Sequence, residues 1–361
     1  MSTRPVAAVT ASPMPSRLVG QTWCEDLISI NDLGPAGVTA ILDLASVMKA
    51  RPADFRGSLA GKQLVMFFEK PSLRTRLTFE AGITSLGGHA FFVDQTASRI
   101  DARESLSDIA HNLERWVDGI VLRTFAHATV TGMAEHAGIP VINALSELEH
   151  PCQSLADYLT LQEKFGDLHN VTLAYVGDGN NVAHSLMLSA ACTGSSIRVA
   201  TPEGYGPNPE ILKRAKKIAA TTGATIQVLN DVQKAVRGAD AIYTDVWASM
   251  GQENEAAQRK QIFGGYQVNE KLFTHAASHA LFMHCLPAHR GEEVTAEVID
   301  SPRSVVFDQA ENRLHVQKAI MLMLLGGIGT DGHQGRETAG FVSTLEPRAP
   351  VSGKKPRRVH A

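Results

Sequence analysis

Short apolar runs of four to six residues recur along this chain, separated by stretches whose apolar residues fall at helical spacing. The first series of runs lies at 63–68, 89–94, 119–122 and 140–143. The second lies at 171–176, 197–200, 225–228, 241–244 and 280–284. Strands that alternate with helices imply βαβ units and a parallel sheet. Two series in 361 residues exceed what one small core organises. The expected fold is therefore α/β, with two doubly wound parallel-sheet domains. A helix opened by His150-Pro151-Cys152-Gln153 and running to about residue 165 is expected to bridge them, with Pro151 suited to a first helical turn. A last helix, expected over 312–325, packs back on the first domain. The expected divisions are a flexible extension over 1–24, domains over 25–160 and 161–328, and a flexible tail over 329–361.

In open parallel sheets, ligands bind beyond the C-terminal ends of the strands. The run at 63–68 leads into Glu69-Lys70-Pro71-Ser72-Leu73-Arg74-Thr75-Arg76, and a helical pattern follows. Such a strand-to-helix turn offers free backbone N–H groups and the positive end of a helix dipole, which suit an anion. Ser72 and Thr75 add hydroxyl donors, and Arg74 can fork onto a phosphate. Other strand ends deliver Arg123, His150 with Gln153, Asn181, Asp245 and Cys285-Leu286-Pro287, and Arg313 falls at the expected start of the last helix. The first half supplies cations and donors, and the second an amide and a carboxylate. A cleft between them would take a phosphate-bearing molecule on one wall and an amine on the other. Each residue also has a plain structural reading: Arg123 as a surface ion pair, His150 as a helix cap, Cys285 as a small core residue.

Composition narrows the class. Charged residues are 20% and hydrophobic ones 44%, as in an ordinary globule. A net charge of −3 gives no basic field for nucleic acid. No uninterrupted apolar run reaches the ~20 residues of a membrane helix. The four cysteines, Cys24, Cys152, Cys192 and Cys285, match neither a metal-site spacing nor a disulfide framework, and reduced thiols in a cytoplasmic enzyme are the simplest account. Gly177-Asp178-Gly179 is half a dinucleotide fingerprint, and Ala200 ends the next strand where a nicotinamide enzyme needs an acid.

Ser72-Leu73-Arg74-Thr75-Arg76, His150-Pro151-Cys152-Gln153 and His284-Cys285-Leu286-Pro287, in this order, resemble the aspartate/ornithine carbamoyltransferase family over about residues 25–327. Asp245-Val246-Trp247-Ala248-Ser249-Met250-Gly251 and Gly177–Asn181 are similar to the ornithine-binding segments of that family. The resemblance implies that carbamoyl phosphate is held by Ser72, Leu73, Arg74, Thr75, Arg99, Arg123, His150, Gln153, Cys285, Leu286 and Arg313. It implies that ornithine is held by Asn181, Asp245, Ser249 and Met250, and that Arg123, His150 and Cys285 act in catalysis. A neutral δ-amine would attack the carbamoyl carbon and phosphate would leave, with no metal or cofactor required. The resemblance further implies a homotrimer or an assembly of trimers.

The sequence departs from the family pattern at two places. Leu73 replaces a threonine, which keeps the backbone N–H and loses a hydroxyl. Arg99 stands where Gln or His is usual, in a loop that the resemblance places at the phosphate of a neighbouring subunit. Another amine substrate, such as acetylornithine or putrescine, and a non-catalytic amino-acid-binding relative are the alternative expectations. The loop over 249–263 is expected to close on ornithine.

Overall fold

The computed structural model describes residues 24–95, 99–248 and 253–326. The expected extension therefore lies outside the described residues except for Cys24, and the expected tail lies wholly outside them.

The first unit opens with helix α1 (Ile30–Ala50) and continues with β1 (Gln63–Phe68), α2 (Leu73–Ser85), β2 (His89–Asp94) and α3 (Leu106–Leu113). It ends with β3 (Gly119–Arg123), α4 (His127–His136) and β4 (Val141–Leu145). Its four strands are parallel in the order β2-β1-β3-β4. Helix α5 (Pro151–Phe165) follows. The second unit runs β5 (Thr172–Val176), α6 (Asn181–Thr193), β6 (Ser196–Ala200), α7 (Pro209–Thr222), β7 (Ile226–Leu229), α8 (Val232–Val236) and β8 (Ala241–Thr244). It continues with α9 (Ala256–Phe263), α10 (Glu270–Phe273), β9 (Leu281–His284), α11 (Ala296–Ile299) and α12 (Val306–Leu325). Its five strands are parallel in the order β7-β6-β5-β8-β9. The expected α/β class with two parallel sheets is what the chain forms.

Strand order fixes where a ligand can lie. In the first sheet the order reverses between β1 and β3, and in the second between β5 and β8. The crevice at such a reversal is the usual ligand site. The paired ends there are Phe68 with Arg123 and Val176 with Thr244. The site segments that follow these ends are therefore neighbours by topology.

One continuous core joins the two units, built from α1, one face of β1, α5, β5, α6 and α12. Separate clusters cover the far face of each sheet. Helix α5 is buried from Pro151 through Leu161, because both units pack on it. Truncating Leu155 or Leu159, both fully enclosed, would cost about 2–5 kcal/mol. Helix α12 crosses back to α5, α1 and α2. It lies so close to α2 that a Cβ added at Gly82 would sit 2.8 Å from Met321. Helix α12 begins at Val306, well before the expected residue 312, so Arg313 lies two turns inside it.

Helix α1 has the length and hydropathy of a membrane span. It kinks at Gly34-Pro35, however, and packs its apolar side on α12, α6 and α5.

Candidate active site

A cleft of about 490 Å³ lies where the two topological reversals face each other. From the first unit it is lined by Ser72, Leu73, Arg74, Arg123, His150 and Gln153, and from the second by Asn181, Asp245, Cys285 and Leu286, with Arg313 of α12.

The anion turn is built as its sequence suggests. Ser72 is the N-cap of α2, its hydroxyl accepting from the Thr75 N–H at 3.3 Å. Thr75 is fully buried behind the turn, where its Oγ1 accepts from Arg313 at 2.7 Å and from Ser72 at 3.0 Å. Arg74 faces the cleft, while Arg76 leaves it to pair with Glu80 at 2.9 Å and cover the Phe92 ring. The Leu73 side chain is 73% exposed, so its contribution to the turn is its backbone.

Arg123 ends β3 in a buried position, its Nε donating to the Lys70 carbonyl at 3.2 Å. Burial and the neighbouring Arg313 and Arg74 pull its pKa down to about 9. Arg313, also buried, donates to Gln153 Oε1 at 2.8 Å. Three guanidiniums thus meet at one wall, and none has a carboxylate ion pair among the described residues. Such a wall is prepared for an anion. His150, buried beside them, is pushed well below the ordinary histidine range by burial and by Arg313, Arg123 and Arg74. It is therefore a neutral imidazole near pH 7. Its backbone N–H donates to Ser185 Oγ at 2.9 Å, which fixes it against α6.

The opposite wall carries the second unit's groups. Asp245 follows β8, and its Oδ1 accepts from the Cys285 thiol at 3.0 Å and from the Val246 N–H at 2.8 Å. Burial and Asp245 hold the Cys285 thiol well above its ordinary pKa. Leu286 adopts φ 58°, a left-handed conformation, and precedes a cis peptide bond to Pro287. Its N–H donates to His284 Nδ1 at 2.8 Å. Asn181 Nδ2 donates to the Ser146 carbonyl at 2.6 Å, which joins the two units at the cleft floor.

Ligand atoms of Asp245, His284 and Cys285 lie within 4.8 Å of one another, close enough for a metal site. Each already has a partner, with His284 Nε2 facing Glu293 Oε1 at 3.3 Å. A thiol held protonated is also a poor metal ligand.

Of the expected residues, Ser249 and Met250 lie outside the described residues, and Thr75 sits behind the turn without lining the cleft. Arg99 lies apart from the cleft in this chain, its guanidinium bound bidentately to Asp101 at 2.9 and 3.1 Å.

Structure adds residues that spacing did not reveal. Asn180 caps α6 and donates to Asp245 Oδ2 at 2.8 Å, locking that carboxylate in place. Its position beside Asn181 was the available signal. Arg259 of α9 is buried and binds Asp178 at 2.7 Å and the Trp247 carbonyl at 3.0 Å, tying the end of the Asp245 loop to the Gly177–Asn181 turn. That turn is also crossed by residues 205–207, so closely that a Cβ at Gly179 would collide with the Pro207 backbone nitrogen. Lys70 also lines the cleft, and its ammonium lies 4.4 Å from the Phe125 ring centroid.

Two family models match, and together they span nearly all the described residues. One is the carbamoyl-phosphate-binding domain of aspartate/ornithine carbamoyltransferase, over residues 25–163. The other is the Asp/Orn-binding domain, over residues 169–324. The chain belongs to the aspartate/ornithine carbamoyltransferase family. Among family members, it is 54% identical over 302 residues to the ornithine carbamoyltransferase of Symbiobacterium thermophilum, covering 83% of this chain and 97% of that one. It is 50% identical over 307 residues to that of Pyrococcus horikoshii, covering 84% and 97%. The solved ornithine carbamoyltransferase of Pyrococcus furiosus superposes with a TM-score of 0.82 at 49% identity, covering 86% of this chain and 99% of that one.

Proposed function

We propose that this carbamoyltransferase moves the carbamoyl group of carbamoyl phosphate to the δ-amine of L-ornithine, giving L-citrulline and phosphate. The observation that carries the reading is the meeting, in one cleft, of three guanidiniums without a carboxylate ion pair among the described residues and a neutral imidazole with an oriented carboxylate and amide.

In this reading the α2 turn, through Ser72, Arg74 and the backbone N–H groups at Leu73 and Thr75, holds the phosphate. Arg123, His150 and the Thr75 hydroxyl point donors at the carbamoyl oxygen, where negative charge develops as nitrogen adds to carbon. A neutral His150 donates one ring N–H without adding another positive charge to the wall. Gln153, Arg313 and the Leu286 carbonyl orient the carbamoyl side. Asp245 takes the α-ammonium of ornithine, and Asn181, Ser249 and Met250 take the rest of its α-amino-acid end. Cys285 lies beside the δ-amine. The amine lone pair forms the C–N bond, the C–O bond to phosphate breaks, and the departing phosphate accepts the proton. Because the free amine attacks, the rate rises with pH toward the alkylammonium pKa near 10.

The domain boundary in this reading falls near residue 160, inside α5. A homotrimer in the cytoplasm, serving arginine formation, completes the proposal. Leu73, Leu77 and Phe91 are 73, 52 and 46% exposed, and apolar side chains at these places suit a subunit contact. Arg99 would then reach the phosphate of the neighbouring subunit.

Initial rates with carbamoyl phosphate and ornithine, acetylornithine, putrescine or aspartate, each given separately, test the substrate. Citrulline formed at least about a hundredfold faster than any other product is expected. Preference for another amine would remove the ornithine assignment and leave the phosphate wall standing. Sedimentation of the same preparation reports the trimer.

A further inference from the structure

Helix α5 carries a fully buried carboxylate, Asp157, one turn beyond Gln153. It does not line the cleft. Its Oδ1 accepts from Gln153 Nε2 and from Gln309 Nε2, both at 2.8 Å, and its Oδ2 accepts from Tyr243 at 3.1 Å. The three donors come from α5, α12 and β8, so this one carboxylate ties the bridging helix to the second unit.

These bonds continue in both directions. Gln153 turns its amide N–H to Asp157, which leaves its Oε1 to accept from Arg313 at 2.8 Å, and Arg313 donates onward to Thr75 at 2.7 Å. Gln309 turns its amide N–H to Asp157, which leaves its Oε1 to accept the His284 N–H at 2.9 Å, next to Cys285. The carboxylate accepts only, so it dictates which way both amides face.

We propose that Asp157 is a positioning residue for carbamoyl transfer: it sets the amide orientation of Gln153, and through Gln153 the aim of Arg313 at the carbamoyl end of the substrate. The proposal rests on the assignment of Gln153 and Arg313 to carbamoyl phosphate. An Asp157→Leu side chain has a similar size but offers no acceptor, so the Nε2 groups of Gln153 and Gln309 lose the oxygen they share. Either a glutamine amide flips, turning N–H toward the Arg313 guanidinium, or a buried donor goes unpaired. Arg313 then loses its fixed acceptor, while Ser72, Arg74 and the backbone N–H groups that hold phosphate stay in place.

Calorimetry with two probes separates these parts. Phosphonoacetamide, a stable isostere of carbamoyl phosphate, samples both ends, and inorganic phosphate samples one. Asp157→Leu should weaken phosphonoacetamide about tenfold and phosphate less than about twofold. KM for carbamoyl phosphate should rise with it. Thr160→Val is the control for a purely structural loss. Thr160 lies on the same helix and accepts from Asn312 at 2.9 Å without reaching the cleft. It should lower stability and leave both affinities unchanged.

Should Asp157→Leu fail to fold, Tyr243→Phe removes a single donor from the same carboxylate. Burial already raises Asp157 to about 6, and Tyr243 is one of the groups opposing that rise, along with Gln309, Gln153 and Arg313. Tyr158 and Cys285 also feel its charge. Tyr243→Phe should therefore move the acid-side loss of phosphonoacetamide affinity to higher pH, with phosphate affinity unmoved. Equal losses for both probes, or none in either variant, would overturn the proposal. Failure of the wild-type protein to bind phosphonoacetamide would instead overturn the underlying assignment.

Discussion

Arg123→Met should make the protein more stable and much less active. A lone arginine normally keeps its charge at low cost because water or a carboxylate solvates it. Here Arg123 is 5% exposed and faces Arg313 and Arg74, and its pKa falls from the ordinary arginine value to about 9. At about 1.4 kcal/mol per unit, that fall corresponds to roughly 4–5 kcal/mol by which the charged form disfavours the fold. The sign follows from a base whose folded pKa is depressed: the penalty is complete below pH 9 and fades as pH rises from about 9 toward the ordinary arginine value. Methionine occupies similar volume without charge, but loses the Nε bond to the Lys70 carbonyl, worth about 1 kcal/mol. Replacements of this kind at buried charges gain about 1–4 kcal/mol, so a gain in that range is expected in urea denaturation at pH 7.5. The turnover number should drop by about 10²–10³, the usual loss of one oxyanion donor. Phosphonoacetamide at a hundred times its wild-type Kd should stabilise the wild type by about 2.7 kcal/mol and the variant, at the same concentration, by clearly less. A variant less stable than wild type by more than about 1 kcal/mol, or equal stabilisation of both by phosphonoacetamide, would refute the reasoning.

Two further outcomes are expected. The Cys285 thiol, held protonated by burial and Asp245, should react with iodoacetamide at pH 8 at least about tenfold more slowly than free cysteine, whose pKa is about 8.5. Asp245→Asn should speed that alkylation, and a wild-type rate equal to that of free cysteine would contradict a thiol held protonated. In the assembled enzyme, Arg99→Gln should raise KM for carbamoyl phosphate by up to about fivefold, the scale of an exposed ion contact. An unchanged KM would leave Arg99 as the partner of Asp101 alone.

Much of the architecture is written locally. Strands β1, β2 and β8 begin and end where the apolar runs do, because each run is long enough to bury a strand and is closed by polar or turn-forming residues. The strand-end residues Arg123, His150, Asp245 and Cys285 could be read as one site, since a parallel sheet sends all its C-terminal ends the same way. Helix α12 shows where local reading stops. Ser304-Val305-Val306-Phe307 reads as readily as strand, yet Val306 packs into the core beneath the second sheet and Gln309 reaches the His284 N–H. Those contacts start the helix early and set Arg313 two turns within it.

The sequence by itself determined the two parallel sheets, the anion turn and the inventory of reacting groups. All of these depend on periodicity and on residue type over a few positions. Tertiary structure alone decided the state of those groups. The Arg123 charge is disfavoured because the fold buries it and because Arg313, from the far end of the chain, is packed beside it. Asp245 is aimed because Asn180 reaches it, and Gln153 faces Arg313 because Asp157 also meets Gln309 and Tyr243. Burial and the direction of a hydrogen bond depend on which distant residues arrive, and no spacing along the chain encodes that.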